Sequence, residues 1–356
     1  MASLKVSAPG RICLFGEHQD FLGLPVVAAA IDLRFYIRGT TRQDSLLRIS
    51  MPDIGKRDEI DLSQPVVYNR KRDYLRSCIN VLRRKGWDLP HGYDCRMHSA
   101  IPINAGVSSS SAMITAWLKF LLTAAGQPDA YAPEDLARLA HQAEVVEFGE
   151  PGGMMDHFAS AMGNFIYVDC RPPFKAEYLP LKLDGFILGD SLEKKETLGV
   201  LSGSKDDVLN GIKMLEGLYP GFDLHTTLRE AVWDLLDKLP EVSCRKIKAN
   251  LINRDLTIEA MSIFRKGIDP IMLGDLLYRH HEQLRDGMRV STQKIDRMLE
   301  SAREAGALGG KINGSGGGGA MFVYAPGKEG EAAEALERAG GKAFKLTIDA
   351  GARVEE

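Results

Sequence analysis

A chain of 356 residues is long enough for two domains, each able to bury a core of its own. Its composition, 44% hydrophobic and 26% charged, is typical of a globular protein, and a formal net charge of −3 gives no reason to expect nucleic acid or a membrane surface as a partner. The start of the chain lacks a signal-peptide pattern, no apolar run reaches the length of a membrane span, and the five cysteines are scattered without CxxC spacing. We therefore expect a cytoplasmic protein with reduced thiols and no structural zinc.

Short β-like runs separated by turns fill the first third of the chain, at 4–9, 25–42 and 92–102. Apolar residues at helical spacing predict helices over 73–86, from the serines at 108–111 to Gly126, and from Pro133 to Phe148. Strands are expected at 164–170, 185–191, 320–326 and 342–348, and further helices at 206–218, 228–236, 271–288, 292–305 and 331–339. This is an α+β pattern in both halves, with a boundary near residue 180 and domains at 1–180 and 181–356.

Four consecutive serines, Ser108 to Ser111, directly precede the helix that ends at Gly126. Serine hydroxyls can cap a helix start, whereas the free N–H groups and the dipole of a helix N-terminus favour an anion there. Gly106 allows the backbone to approach a ligand without a Cβ in the way. Two interpretations stay open at this point, a plain N-cap and a phosphate-binding loop.

A second unusual stretch is the run 314–319, which is all glycine except for Ser315 and lies just before a predicted strand. A flexible linker is the usual fate of such runs but is unexpected inside a structured region. The dinucleotide-binding motif requires a helix where a strand follows here, and a Walker A motif requires Ser or Thr where Ile312 stands. The run therefore indicates a loop that contacts a phosphate closely or packs against the serine loop.

A dense group of charged residues lies in the glycine-punctuated stretch APGRICLFGEHQDFLGLP, which begins at residue 8. Arg11, Glu17, His18 and Asp20 fall within ten residues, next to an apolar segment where unpaired charges would be costly to bury. Carboxylates, imidazole and guanidinium suit the recognition of hydroxyl and phosphate groups. A solvated turn is the alternative to a binding site.

Two further carboxylates lie in EVVEFGEPGGMMDHF, where Glu144 belongs to a predicted helix and Asp156 follows the Gly152–Gly153 pair. A carboxylate placed by a glycine turn can serve as a base, and one further off can hold a cation. Spacing alone assigns neither role, and for this stretch by itself a solvated helix face with an ordinary turn aspartate is the better explanation.

Taken together, APGRICLFGEH, PINAGVSSSSA and KINGSGGGGAMFVY resemble, in order and distance, the three signature motifs of the GHMP small-molecule kinases. The resemblance extends from residue 8 to about residue 324. It implies a two-domain α+β fold, with a ribosomal-protein-S5-like N-terminal domain and a ferredoxin-like C-terminal domain, and with ATP and Mg²⁺ bound between them. The pattern G-R-x-x-L-x-G-E-H-x-D and the stretch GGMMDHF are similar to galactokinase, which implies phosphoryl transfer to the anomeric hydroxyl of a monosaccharide.

The resemblance also implies roles for individual residues. Asp156 is expected to accept the proton of the attacking hydroxyl, and Arg11 to keep Asp156 ionised and to stabilise charge on the transferred group. Glu17, His18 and Asp20 are expected to bind sugar hydroxyls, and Ser110 with Glu144 to hold Mg²⁺. The contacts to the ATP phosphates are expected from Gly106, Val107, Ser108, Ser109, Ser110, Ser111, Gly316 and Gly317.

Several positions depart from the galactokinase pattern. Gln19 and Phe21–Leu22 replace its usual Thr and Tyr-Asn, His157 replaces the Gln after the catalytic Asp, and Lys194 and Lys195 lie in a segment unlike its galactokinase counterpart. These departures keep open a mevalonate-type or sugar-phosphate substrate, and a non-catalytic sugar sensor is a further alternative. We expect a small-molecule substrate and a monomer or homodimer.

Overall fold

A long antiparallel hairpin forms the centre of the first sheet. The computed structural model describes residues 3–103, 105–194 and 197–356, with the backbone alone for residues 197–204. The hairpin strands are β1 (Ser3–Phe15) and β2 (Val26–Thr41), both rich in residues that favour strands. The next strands of this sheet are β3 (Leu46–Met51), β4 (Lys56–Asp61), β5 (Tyr93–Ser99), β6 (Phe165–Asp169) and β7 (Lys175–Tyr178).

Strand β2 is long enough to pair with two strands on the side away from β1. Its second half pairs antiparallel with β5, with Ile37 opposite Met97, and its first half pairs with β6, with Ala28 opposite Ile166. Strand β3 joins β5 in parallel, and β4 extends the sheet beyond β3. The order is therefore β1-β2-β5-β3-β4, with β6 and β7 beside the start of β2.

Helices pack against this sheet and bury its core. In chain order they are α1 (Tyr74–Arg84), α2 (Ser109–Ala124), α3 (Pro133–Glu144) and α4 (Met155–Met162). Helix α2 buries ten of its sixteen residues, and the rings of Trp117 and Phe120 are stacked with their centroids 5.3 Å apart. A Cβ on Gly39 of β2 would lie 2.3 Å from the Phe120 ring, so glycine at this position allows the helix to pack closely.

The second sheet is antiparallel and has the order β11-β8-β10-β9. Its strands are β8 (Phe186–Asp190), β9 (Gly309–Asn313), β10 (Ala320–Tyr324) and β11 (Lys342–Leu346). The helices of this part of the chain are α5 (Thr197–Leu218), α6 (Arg229–Leu236), α7 (Glu241–Lys266), α8 (Pro270–Glu282), α9 (Gln293–Glu304) and α10 (Glu329–Arg338). A short π-helix, Gln283–Gly287, follows α8 directly.

Helices α5, α6 and α7 share a separate apolar core, and the turn between β1 and β2 inserts into it. Leu24 from this turn is fully buried in that core, beside residues such as Val208 and Leu251. The buried Gln19 amide of the same turn donates to the backbone oxygen of Asn250 on α7 at 2.8 Å. The turn is therefore fixed between the first sheet and the later helices.

The chain returns to the first sheet after β11. Strand β12 (Arg353–Val354) pairs antiparallel with β1, with Val354 opposite Val6. The buried guanidinium of Arg34 fixes this return by donating to the Asp349 carboxylate at 2.8 Å and to the backbone oxygens of Ala350 and Gly351, each at 2.8 Å.

The helices and strands confirm the α+β class that the sequence predicts. The predicted elements are present at 74–84, 109–124, 186–190 and 320–324, for example, with ends that differ by a few residues. The exact division at residue 180 stays a prediction. Among the described residues, no helix is both long enough and apolar enough to cross a membrane.

Candidate active site

A cavity of about 450 Å³ lies where the end of β1, the serine loop, the start of α4 and the glycine run meet. Its walls come from segments that are distant in sequence but carry most of the predicted site residues. Those that line it are Arg11, Glu17, His18, Asp20, Gly106, Ser108, Ser109, Ser110, Ser111, Glu144 and Asp156. The structure therefore brings the four sequence motifs to one place.

The pair Arg11–Asp156 lies at the centre of this cavity. Arg11 leaves β1 buried, and its Nε donates to Oδ1 of Asp156 at 2.8 Å while Nη1 donates to the backbone oxygen of Gly106 at 2.7 Å. Burial opposes the charge of Arg11, but the Asp156 and Glu17 carboxylates outweigh it and raise the pKa of Arg11. Asp156 lies in the first turn of α4, and its side chain keeps 31% of its surface exposed toward the cavity.

Glu17 is a buried carboxylate that joins the two sheets. Its Oε2 accepts from Nζ of Lys311 at 3.1 Å and from the backbone N–H of Gly314 at 2.9 Å. Burial would raise the pKa of Glu17, but Lys311 and then Arg11 reverse that effect and lower it to about 2. Glu17 is therefore ionised at neutral pH. It links the first sheet to the second and also lines the cavity.

His18 and Asp20 extend the wall on the side of the β1–β2 turn. Burial lowers the pKa of His18, so its imidazole is neutral at neutral pH. Asp20 accepts from the backbone N–H of Phe21 at 2.9 Å and of Met155 at 3.4 Å. Burial and the neighbouring charge of Asp156 raise the pKa of Asp20 to about 6.

The glycine before α4 is required for this arrangement. A Cβ on Gly153 would lie 1.9 Å from Oδ2 of Asp20, a distance that no side chain tolerates. Glycine at this position therefore allows the Asp20 carboxylate to approach the start of the helix that carries Asp156.

The serine loop reverses direction through two residues in left-handed conformations, Gly106 with φ 85° and Ser108 with φ 62°. Ser108 is the N-cap residue of α2, yet its side chain makes no capping hydrogen bond, and its buried hydroxyl has no partner among the described residues. The plain N-cap interpretation is therefore wrong. The first N–H groups of α2 and an unsatisfied hydroxyl are available to a ligand such as a phosphate.

Glu144 lies opposite the serine loop at the end of α3. The buried Ser111 hydroxyl donates to its Oε2 at 2.7 Å, and the Nε2 of His157 lies 2.8 Å from the same oxygen. Ser110 is exposed and lines the same cavity as this carboxylate. Burial would raise the pKa of Glu144, but His157 and the two serines together lower it.

The glycine run contacts the serine loop at one point. Gly314 lines the cavity, and a Cβ on it would lie 2.5 Å from the backbone oxygen of Gly106. Gly316 and Gly317 instead pack against Val290, to whose oxygen the Gly317 N–H donates at 2.8 Å. The prediction that the run packs against the serine loop therefore fits at Gly314. Gly316 and Gly317, which were predicted to contact the phosphates, are not among the residues that line the cavity.

Sequence reasoning missed three residues of this site. Lys311 is fully buried against Glu17, and Asn313 accepts from the Cys13 N–H at 2.8 Å and donates to the Gly106 oxygen at 2.9 Å. Tyr74 lines the cavity and donates to Glu150 at 3.0 Å. For Lys311, the available signal in the sequence was a lysine inside a strand-like, glycine-rich stretch.

Of the two lysines that depart from the galactokinase pattern, Lys194 is exposed, and Lys195 lies outside the described residues.

The donor set fits a magnesium ion that shares its coordination with phosphates. Among the described residues there is no group of three or more His, Cys, Asp or Glu side chains that could hold a metal. Mg²⁺ in nucleotide sites commonly takes one or two protein oxygens and completes its shell with phosphate and water. The Ser110 hydroxyl and the Glu144 carboxylate have that chemistry.

Three family models match the chain. The GHMP kinases N terminal domain matches residues 73–164, the GHMP kinases C terminal model matches 260–346, and the galactokinase galactose-binding signature matches 3–40. The chain is 30% identical to the mevalonate kinase of Thermococcus onnurineus over 98% of both proteins. It is 27% identical to the galactokinase of Actinobacillus pleuropneumoniae over 91% of this chain and 86% of that protein.

Solved structures show the same fold. Lactococcus lactis galactokinase complexed with galactose superposes with a TM-score of 0.85 at 21% identity, covering 99% of this chain and 95% of that one. Methanococcus jannaschii mevalonate kinase superposes with a TM-score of 0.73 at 19% identity, covering 98% and 99%. The chain belongs to the GHMP kinases, as a galactokinase-like member of a family of ATP-dependent phosphotransferases that act on an alcohol group.

Proposed function

We propose that this kinase transfers the γ-phosphoryl group of ATP to the anomeric hydroxyl of a monosaccharide. One observation carries the proposal: the galactokinase galactose-binding signature covers residues 3–40, and its polar residues Glu17, His18 and Asp20 line the same cavity as Asp156. Carboxylates and a neutral imidazole offer hydrogen-bond acceptors, and the imidazole also offers a donor, as neighbouring sugar hydroxyls require.

In this proposal Asp156 orients the attacking hydroxyl and accepts its proton. Arg11 donates to Asp156 and so fixes the carboxylate. Its guanidinium charge would also stabilise the negative charge that develops on the transferred phosphoryl group. Phosphoryl transfer has a loose transition state, so positioning and electrostatic stabilisation supply most of the catalysis. A base that is already held in place by Arg11 needs no rearrangement before the reaction.

The serine loop is proposed to bind the phosphates through the N–H groups of α2 and the Ser108 hydroxyl. Ser110 and Glu144 would hold Mg²⁺, which when bound neutralises charge on the phosphates. Val107 is buried, and its backbone oxygen accepts from the Arg11 N–H at 3.2 Å, so it supports the loop from behind. Gly314 keeps the second half of the chain in contact with the loop, and Gly316 and Gly317 pack against Val290.

A mevalonate-type substrate is a second candidate. It is favoured by the 30% identity to an archaeal mevalonate kinase over almost the whole chain. A sugar phosphate and a non-catalytic sugar sensor are the remaining alternatives, and the intact Arg11–Asp156 pair speaks against the sensor.

The test is an assay of ADP release with a panel of acceptors: neutral monosaccharides, uronic acids, sugar phosphates and mevalonate. We expect turnover with a monosaccharide and a product that has lost its reducing end, because an anomeric phosphate blocks ring opening. Turnover with mevalonate alone, or a sugar product that keeps its reducing end, would contradict the proposal. Tight binding of sugar and ATP without ADP release would favour a sensor.

A further inference from the structure

Glu144 is bound by two side chains through the same oxygen. Ser111 Oγ and His157 Nε2 lie 2.7 and 2.8 Å from Oε2, and all three side chains are buried. A carboxylate oxygen that accepts two hydrogen bonds has little capacity left for a third partner. The second oxygen, Oε1, is therefore the one that Glu144 can offer to a ligand in the cavity that it lines.

The tautomer of His157 follows from its partner. Because the Glu144 carboxylate accepts, Nε2 must carry the hydrogen and donate it. The Nδ1 atom is buried and has no hydrogen-bond partner among the described residues. The ring of His141 packs edge-to-face against the imidazole, with centroids 5.3 Å apart and planes at 88°.

The start of α4 connects this bond to the reaction centre. Asp156 and His157 are consecutive residues of that helix, and consecutive helical side chains point about 100° apart. Asp156 accordingly contacts Arg11 on β1, whereas His157 contacts Glu144 on α3. One turn of helix therefore fixes both carboxylates.

We propose that His157 is a positioning residue that occupies Oε2 of Glu144 and so presents Oε1 to the cation bound with the nucleotide. This inference rests on the proposed function, because it takes the Glu144 side of the cavity as the site of the phosphates and their cation. The galactokinase pattern has Gln at this position, and a Gln amide nitrogen can occupy the place of Nε2.

The test compares two uncharged amides, His157→Gln and His157→Asn. Gln places its amide nitrogen near the Nε2 position and keeps the donor, whereas Asn places it near Nδ1 and cannot reach Glu144. We expect H157N to weaken calorimetric binding of Mg²⁺·ADP about 10–100-fold, the usual cost of losing a hydrogen bond to a metal-binding residue. H157Q should bind Mg²⁺·ADP within about threefold of the wild type.

Binding of ADP in the presence of EDTA separates positioning from folding. We expect both variants to bind metal-free ADP like the wild type. Equal Mg²⁺·ADP affinity in H157N and H157Q, whether normal or impaired, would overturn the inference, and so would a loss in H157N that EDTA does not remove. If H157N and H157Q differ in Mg²⁺·ADP affinity as expected but the enzyme phosphorylates no acceptor, the inference stands and the proposed function fails.

Discussion

The aspartates at the centre of the cavity differ in their surroundings. Asp156 is paired with the guanidinium of Arg11, whereas the hydrogen-bond donors to Asp20 among the described residues are all backbone N–H groups. Burial and the Asp156 charge raise the pKa of Asp20 to about 6, so Asp20 is protonated in a fraction of the molecules just below neutral pH. The two aspartates therefore line one cavity in different surroundings, one paired with a guanidinium and the other held by backbone N–H groups.

Replacing the proposed base tests its role directly. We expect Asp156→Asn to lower turnover about 10²–10⁴-fold, the range that a positioned base contributes. Because an amide oxygen still accepts from Arg11, nucleotide affinity should change little. ADP release at saturating substrates and calorimetry with Mg²⁺·ADP measure the two effects. Asp135→Asn, on the exposed face of α3, is the matched control, and turnover in D156N equal to that of D135N would remove Asp156 from the mechanism.

The pH dependence of stability tests the environment of Asp20. A folded pKa of about 6 lies above the ordinary value of 3.8, so the stability that Asp20 contributes is present below pH 3.8 and lost as the pH rises through 6. Asp20→Asn removes that loss, and the variant should gain up to about 3 kcal/mol relative to the wild type between pH 4 and pH 7.

Urea unfolding of both proteins at several pH values measures this difference. A stability difference that stays constant across that range would show that the Asp20 carboxylate has an ordinary pKa. The same substitution should raise KM for the sugar, because a buried charge kept at a cost to stability is typical of a binding site.

At this scale the sequence predicts the chemistry of the site but not its long-range partners. Arg11, Glu17, His18 and Asp20 lie in one short stretch whose composition is unusual, so they could be predicted as a group. Lys311 is close to Glu17 only because β9 lies against the end of β1, and no local pattern contains that information. His157 departs from the galactokinase pattern in the sequence, but its contact with Glu144 could not be predicted, because it depends on how α3 and α4 cross.

At the scale of elements, the serine loop and the glycine run meet backbone to backbone. Gly314 has φ 83°, and its Cα lies so near Gly106 that a Cβ would be 2.5 Å from the Gly106 oxygen. Arg11 and Asn313 donate to that same oxygen at 2.7 and 2.9 Å. The shape of the proposed phosphate loop therefore depends on a contact with the second half of the chain.

We expect Gly314→Ala to lower Mg²⁺·ADP affinity by tenfold or more, because the new Cβ must displace the serine loop. Gly126→Ala is the matched control, since Gly126 has a similar φ of 76° but no atom of the described residues within 4 Å of an added Cβ. Both variants share the strain of a left-handed alanine, about 1 kcal/mol, and only G314A adds the collision. Calorimetry gives the affinities, and equal values for the two variants would show that the contact is unimportant for binding.

The elements themselves were predictable where one face of the segment is apolar. Helix α9 shows this, with Ile295, Met298, Leu299 and Ala302 buried along one side. Helix α7, the 26 residues Glu241–Lys266, was not predicted, because its buried positions include Asn250, Asn253 and Arg254 and no apolar stripe results. Its polar groups bond to neighbouring loops instead, as the Arg254 guanidinium does to the backbone oxygens of Leu224 and Thr227.

At the scale of the whole molecule, the ion pair Glu17–Lys311 joins the two sheets. Lys311 belongs to β9 and is fully buried, and besides Glu17 it donates to the backbone oxygen of Cys13 on β1 at 2.8 Å. A buried charge that loses its partner is strongly destabilising, although a buried pair as a whole contributes little. Loss of either partner would therefore leave an unpaired buried charge where the two sheets meet.

We expect Lys311→Met to lower the free energy of unfolding by about 3–5 kcal/mol, because Glu17 is left buried without its cation. Lys328→Met, which breaks the exposed pair with Glu331, should cost less than about 1 kcal/mol. Urea denaturation measures both. A K311M/E17Q double variant that is no more stable than K311M would contradict this explanation.

Acid should act on the same pair. The pKa of Glu17 lies near 2, below its ordinary value of 4.5, so its contribution is complete above pH 4.5 and disappears as the pH falls toward 2. The wild type should therefore lose stability over this interval, and K311M should lose less of it.

The return of β12 to β1 determines when the first sheet can be completed during synthesis. Ser7 and Glu355, which hydrogen-bond across this strand pair, are 348 residues apart. At about 5–20 residues per second, a ribosome needs tens of seconds to make the chain between them. For that time one edge of β1 has open N–H and C=O groups, which can pair with another chain. Arg11 is thus carried by a strand whose outer neighbour is synthesised last, so a nascent chain would depend on protection of that edge.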